Sequence, residues 1–167
     1  FIYASICQLF CGSTSRPVIS IDWSDLDDHK AHFLLRAAIS LKGRPVTLYQ
    51  EVHCNKTKEK PASHKAFLKA LHAMLPSNCR PIIVTDAGYK SPWFREVLAL
   101  GWDIVGRVRK PHFYSLDSGN TWQCIRHLYA QATSRPKRFD NSQIARGNPF
   151  ACTLVLFKQK TKGRHAS

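Results

Sequence analysis

Pro81-Ile82-Ile83-Val84-Thr85-Asp86-Ala87-Gly88-Tyr89-Lys90-Ser91-Pro92-Trp93 is the stretch that decides the fold. Its first half is a continuous apolar run closed by an acid, the pattern of a strand buried inside a sheet. Ser91-Pro92 then opens a helix, with proline in the first turn where its missing N–H costs nothing. Trp93, Phe94, Val97, Leu98 and Leu100 make one apolar face, Gly101 ends the helix, and Asp103 to Val108 read as the next strand. A strand, a helix and a second strand make a β-α-β unit.

Upstream, Phe67, Leu68, Leu71, Met74 and Leu75 share one helical face, with Ser63 as the expected cap and Pro76-Ser77-Asn78 as the stop. A lysine-rich loop over 53–62 precedes that helix. Earlier still, Val18 to Trp23, Phe33 to Ser40 and Val46 to Val52 read as three strands. They are joined by a polar turn at Asp25, Asp27 and Asp28 and a tight turn at Lys42-Gly43-Arg44, so they form an antiparallel meander. The expected fold class is α/β, a mixed sheet in the order β-β-β-α-β-α-β. Beyond Lys110 the texture becomes β-rich with no clear helix: Tyr114, Trp122, Leu128 and Ala151 to Phe157 sit between basic, turn-rich loops.

The 167 residues (19.0 kDa) fit one domain of ordinary size, and 44% hydrophobic against 22% charged is a soluble globular composition. Lysine and arginine number 25 against 11 acids, a formal charge of +14 with a pI near 9.9. That balance disfavours a specialist in acidic small molecules and points to a polyanion, most simply nucleic acid. The charge is uneven: residues 107–167 carry 12 lysines and arginines against Asp117 and Asp140, and hold most of the excess. Six cysteines without a C-x-x-C pair read as reduced thiols rather than a disulfide framework. Cys124-x-x-His127 and His29-x-x-His32 could ligate a metal by spacing, but each lacks the second pair that a structural zinc needs. No run approaches a membrane span. The apolar start, Phe1 to Gly12, has neither an initiating methionine nor a basic leader; it reads as an interior piece of a longer cytoplasmic protein.

Two carboxylates carry the chemistry. Asp22 and Asp86 each close an apolar run, and in this strand order the first and fourth strands can be neighbours. Like charges brought together there need a cation or a proton, and Mg²⁺ suits hard oxygen ligands while leaving positions for substrate oxygens. The alternative is that each aspartate is a turn former or a helix cap.

The surrounding strings narrow the choice. Ile21-Asp22-Trp23, Arg36-Ala37-Ala38, Gly43-Arg44-Pro45-Val46-Thr47-Leu48-Tyr49, Leu75-Pro76-Ser77-Asn78 and Ile83 through Trp93 resemble the DDE transposases of bacterial insertion sequences, in the insertion-sequence-4 family. Leu100-Gly101-Trp102 and Arg107-Val108-Arg109 continue the resemblance, and Lys158 to Arg164 extend it more loosely, so that it spans about 17–164. The resemblance implies an RNase-H-like core over 17–109, preceded by a linker at 1–16 from a missing N-terminal region. An incomplete, basic β-rich insertion follows at 110–167. It also implies Asp22 and Asp86 as catalytic and metal-binding residues, a two-metal site for Mg²⁺ or Mn²⁺, and cut-and-paste cleavage and strand transfer at transposon ends. Implied partners are double-stranded DNA, at transposon ends and target, and a second copy in a synaptic complex, near the bacterial nucleoid. Arg107, Arg109, Lys110, Lys137, Arg138 and Arg146 are the expected DNA-backbone contacts. The family's third carboxylate, a glutamate in a tyrosine-arginine-glutamate-lysine string, has no counterpart here, and neither Asp117 nor Asp140 lies in a helix-like context. The expectation is two of three catalytic ligands and no strand transfer by this chain alone, with a DNA-binding remnant as the alternative.

Other side chains have plainer readings. Trp23 and Trp93 sit beside apolar runs and suit core packing better than base stacking. Gly88 suits a tight turn after Asp86, and Arg36 could pair with an acid on a neighbouring strand or reach a phosphate.

Overall fold

The computed structural model describes residues 2–159; Lys160 to Arg164 of the looser resemblance lie outside them. The chain divides into two compact units, 1–107 and 108–167. Length alone suggests one domain, but the second unit has its own sheet and its own core.

The first unit begins with helix α1 (Ile2–Cys11), where the sequence reading has a linker. Cys7 and Cys11, one turn apart, are its buried face, whereas Ile2 and Leu9 are exposed. Strands β1 (Val18–Asp25), β2 (His32–Ser40) and β3 (Pro45–Cys54) form the expected meander. Each runs one to three residues longer than its apolar core, because the ladder continues through polar positions. Between β2 and β3 the pairing jumps from Ala37↔Tyr49 to Ala38↔Thr47, which leaves Leu48 as a bulge. Leu48 is fully buried, and its carbonyl accepts the Cys7 thiol at 3.7 Å.

Helix α2 (Pro61–Met74) starts two residues before the expected Ser63 cap. Lys60 takes the extended cap conformation and Pro61 leads the first turn, so the fixed proline φ replaces a side-chain cap. Strand β4 (Ile82–Thr85), helix α3 (Ser91–Ala99) and strand β5 (Asp103–Gly106) complete the β-α-β unit. Gly101 takes φ +74°, the left-handed geometry that closes a helix. Strand β5 stops at Gly106, short of the expected Val108, so Arg107 and Arg109 do not alternate along a strand.

The sheet order is β3-β2-β1-β4-β5, with β1 antiparallel to β2 but parallel to β4. This is the mixed sheet expected of an RNase-H-like core. Both crossovers, β3-α2-β4 and β4-α3-β5, step the same way along the sheet, and right-handed crossovers therefore put both helices on one face. That face is the core: Ile19, Ile21, Leu35, Ala37 and Ile83 are at most 1% exposed beneath Phe67, Leu68, Leu71 and Val97. On the opposite face Val18, Val52 and Val105 are exposed, and Ile82 and Val84 are half-buried rather than enclosed on both sides.

The second unit is an antiparallel sheet in the order β7-β6-β8-β9, from β6 (Phe113–Ser115), β7 (Gln123–Cys124), β8 (Lys137–Ile144) and β9 (Phe150–Leu156). It carries one short helix, α4 (Arg126–Tyr129), which the sequence reading lacks because a single turn has no periodicity to read. Tyr114, Ile125, Leu128, Ile144, Phe150 and Leu154 are its buried apolar residues.

Candidate active site

Parallel pairing of β1 with β4 runs from Val18↔Ile82 to Ile21↔Thr85. One residue further brings Asp22, within β1, beside Asp86, which directly follows the end of β4, about 4.8 Å apart in strand spacing. Both are exposed. Each uses one carboxylate oxygen locally: Asp22 Oδ1 accepts the Trp23 backbone N–H, and Asp86 Oδ1 accepts that of Gly88, both at 2.8 Å. Among the described residues, neither Oδ2 has a hydrogen-bond partner. Gly88 is suited to this turn because a Cβ there would stand 3.1 Å from Asp86 Oδ1.

Beneath the carboxylates lies an aromatic cluster. Trp93 is buried at 2% exposure, and Trp23 is half-buried with its ring 5.1 Å from that of His53. Tyr89 lies 4.7 Å from Trp93 with the rings tilted at 48°, and among the described residues its buried hydroxyl has no hydrogen-bond partner. Burial, then the charges of Asp22, Asp86 and Glu59, hold that phenol far above its ordinary pKa, so it stays a proton donor. Thr85 Oγ1, Ser91 Oγ and Trp93 Nε1 are also buried, with no hydrogen-bond partner among the described residues. Native cores leave few such atoms unsatisfied. All four fall between Thr85 and Trp93, so the Asp86 segment holds polar capacity that packing does not use.

His64, in the first turns of α2, accepts the Trp23 indole N–H at Nε2 (3.2 Å), which places its own proton on Nδ1. Burial, helped by His53, lowers its pKa from 6.5 to about 4. Between those values the unfolded chain holds a proton that the folded chain lacks, so acidification favours unfolding. The penalty is absent above pH 6.5 and complete once the pH has fallen through about 4. His64 is only half-buried, and solvent screening leaves about 1–2 kcal/mol. Urea unfolding at neutral pH and near the acid end of that window measures it. His64→Gln, which still accepts the indole N–H but does not titrate there, is expected to lose less stability on acidification than the unaltered chain. An identical loss in both would assign the acid sensitivity elsewhere.

The basic residues expected at DNA are all exposed, but they do not form one strand face. Arg107 follows β5 directly in the first unit. Arg109 and Lys110 lie in the irregular segment that opens the second, before the cis Lys110–Pro111 bond. Lys137 and Arg138 lie on β8 rather than in a turn, and Arg138 is paired with Asp140 at 2.8 Å; Arg146 is in the β8–β9 connection. The other two acids expected to play no catalytic part are locally committed. Asp117 is held at a pKa of about 2 by Ser115 and Thr121, and Asp140 serves Arg138 and Thr153. Among the described residues, no group of three or more histidines, cysteines or acids could hold a metal ion.

A family model described as Transposase DDE domain matches residues 14–162, most of the chain. The chain belongs to the DDE transposase family. Proteins of this family act on DNA, with chemistry that typically depends on a divalent metal. No match was found among curated proteins or among solved structures. In this DDE transposase domain no helix among the described residues is long and apolar enough to cross a membrane. His64 carries no sequence signal of a site, and Tyr89 and Arg36 fall within the resembling strings without a sign of how they are placed. They are tied to the carboxylates by strand register and by packing between α2 and α3, which no local pattern encodes.

Proposed function

We propose that this DDE transposase domain cuts and joins DNA at transposon ends by a cut-and-paste mechanism, with Asp22 and Asp86 as catalytic metal ligands. The observation that carries the reading is the parallel register that sets the two aspartates side by side, each with one oxygen uncommitted. Two exposed hard oxygen donors on neighbouring strands fit Mg²⁺ or Mn²⁺, with water and substrate oxygens completing the shell. Bound there, such ions would supply Lewis-acid activation of an attacking oxygen and of a leaving one. The chain's own part is to fix the two carboxylates through backbone N–H groups and to offer basic side chains to the DNA backbone. Arg107, Arg109, Lys110, Lys137, Arg138 and Arg146 are those side chains in this reading, with 17–109 as the catalytic core and 110–167 as an insertion.

The finer placement is in the insertion-sequence-4 family, close to the transposase of the tetracycline-resistance composite transposon, acting at the bacterial nucleoid as a self-associating synaptic complex. In this reading the third carboxylate comes from a later glutamate, and the 167 residues alone do not transfer strands. The test extends the coding frame on both sides and assays excision of a marker flanked by the element's ends in Mg²⁺. Metal-dependent excision lost in Asp22→Asn supports the proposal. A frame that stops just after Ser167, with duplex binding but no cleavage, supports instead a catalytically inactive DNA-binding remnant.

A further inference from the structure

Carrying the strand registers across the sheet uncovers one transverse row. Gln50 pairs with Arg36, and Arg36 pairs with Asp22. Asp22 sits beside Asp86, one step past Ile21↔Thr85. Thr85 pairs with Gly106, and the Arg107 N–H donates to the Thr85 carbonyl at 3.2 Å, so Arg107 follows beside Asp86. Side chains alternate along a strand. Gln50, Arg36 and Asp22 therefore share the face away from the helices, and Asp86 and Arg107, each directly after the last residue of its strand, continue the row in the sequence polar, positive, negative, negative, positive.

Arg36 has no structural task that accounts for its charge. Its neighbours Leu35 and Ala37 are fully buried on the other face, whereas Arg36 is exposed. Among the described residues its guanidinium has no ion-pair or hydrogen-bond partner, although Asp22 is directly across the ladder. The rest of its face nearby is uncharged: Val18, Ser20, Leu34, Ala38, Ile82 and Val84. Asp103, at the far end, is taken by Arg16. Arg107 likewise has no ion pair among the described residues. Two uncommitted guanidinium groups thus flank the carboxylate pair, three strand spacings apart, about 14 Å.

We propose that Arg36 is a phosphate-contacting residue, holding the DNA backbone on the opposite flank of the carboxylate pair from Arg107. A guanidinium matches a phosphodiester's two free oxygens bidentately. Placed beside Asp22, it offsets the repulsion that the carboxylates would exert on an incoming phosphate. The inference rests on the reading of DNA as substrate and adds a contact outside the basic segment that begins at residue 107.

The test is fluorescence anisotropy of the 167-residue chain with a labelled duplex in EDTA, over about 50 to 200 mM salt. Arg36→Gln is expected to weaken binding about 3–10-fold and to lower the slope of log affinity against log salt by about 0.9. Arg36→Lys should keep the slope while losing part of the affinity, since the charge remains and the fork does not. Arg44→Gln, in the β2–β3 turn at the other end of the sheet, should change neither. An Arg36→Gln chain with unaltered affinity and slope would reduce Arg36 to a counter-charge for Asp22 and overturn the proposal. A second readout needs no variant: the Arg36 Nε–Hε NMR signal should shift when duplex is added to the unaltered chain, and an unmoved signal at saturation also overturns the proposal. If the unaltered chain fails to bind duplex at all, the DNA reading itself falls, an outcome distinct from a variant that matches a binding parent.

Discussion

Mn²⁺ titrated into the 167-residue chain is expected to bind, and Asp22→Asn or Asp86→Asn is expected to weaken that binding by more than tenfold. Outer partners of a metal site already account for about 10–100-fold in affinity, and these two carboxylates would be ligands themselves. The same substitutions should raise the melting temperature in EDTA. Each removes one of two like charges that the parallel register of β1 and β4 forces together. Weaker metal binding with greater stability is the signature of residues retained for function at a structural cost. Calorimetry and thermal melts give both numbers, and Mn²⁺ affinity unchanged in both variants would remove the aspartates from the metal site.

The largest effect on stability is expected from Phe67→Ala. Phe67 is fully buried, its ring 5.0 Å from Tyr49, where α2 meets the sheet. Truncating a buried phenylalanine costs about 3–5 kcal/mol, from lost burial and from the cavity left behind. A domain of this size has about 5–15 kcal/mol in total, so the variant should lie close to unfolding. Leu98→Ala on α3, where the side chain is 46% exposed, is the matched comparison and should cost under about 1 kcal/mol. Urea denaturation of the two variants decides the matter; similar midpoints would mean that the α2 packing does not dominate the core.

Much of the first unit was legible because its signals are local. The apolar run at Pro81–Asp86, the helical spacing from Phe67 to Leu75 and the tight turn at Lys42-Gly43-Arg44 all appear where they were read. That β1 and β4 could be neighbours followed from the strand order, whereas their parallel direction belongs to the pair and is carried by neither run alone. Three features escaped for physical reasons. Helix α1 exposes Ile2 and Leu9 and buries two cysteines, so its apolar side and its buried side differ. Helix α2 begins at Pro61 because a fixed φ can replace a side-chain cap, which a search for Ser63 overlooks. The position of Arg36 beside Asp22 depends on cross-strand register, a property of the pair that neither strand carries alone. In the second unit, Lys137 and Arg138 pair within β8–β9, a strand that the sequence reading does not delimit because two charged side chains at its start break the apolar pattern.

The strands that bear the two aspartates differ in length, and that difference bears on folding order. Asp22 stands on an eight-residue strand within the three-stranded meander, whereas Asp86 follows a four-residue strand whose outer neighbour, β5, is also four residues long. The meander joins segments close in sequence; the β1–β4 ladder must close over 64 positions. During synthesis Asp22 is therefore placed early, and the second ligand arrives only after α2 and β4 have emerged and docked. In the finished protein the short β4–β5 margin can open while the meander persists, so amide hydrogens of β4 and β5 should exchange ahead of those in β1 and β2. A cation bridging Asp22 and Asp86 would close that gap, making metal binding a clasp on the last segment to fold as well as a condition of chemistry.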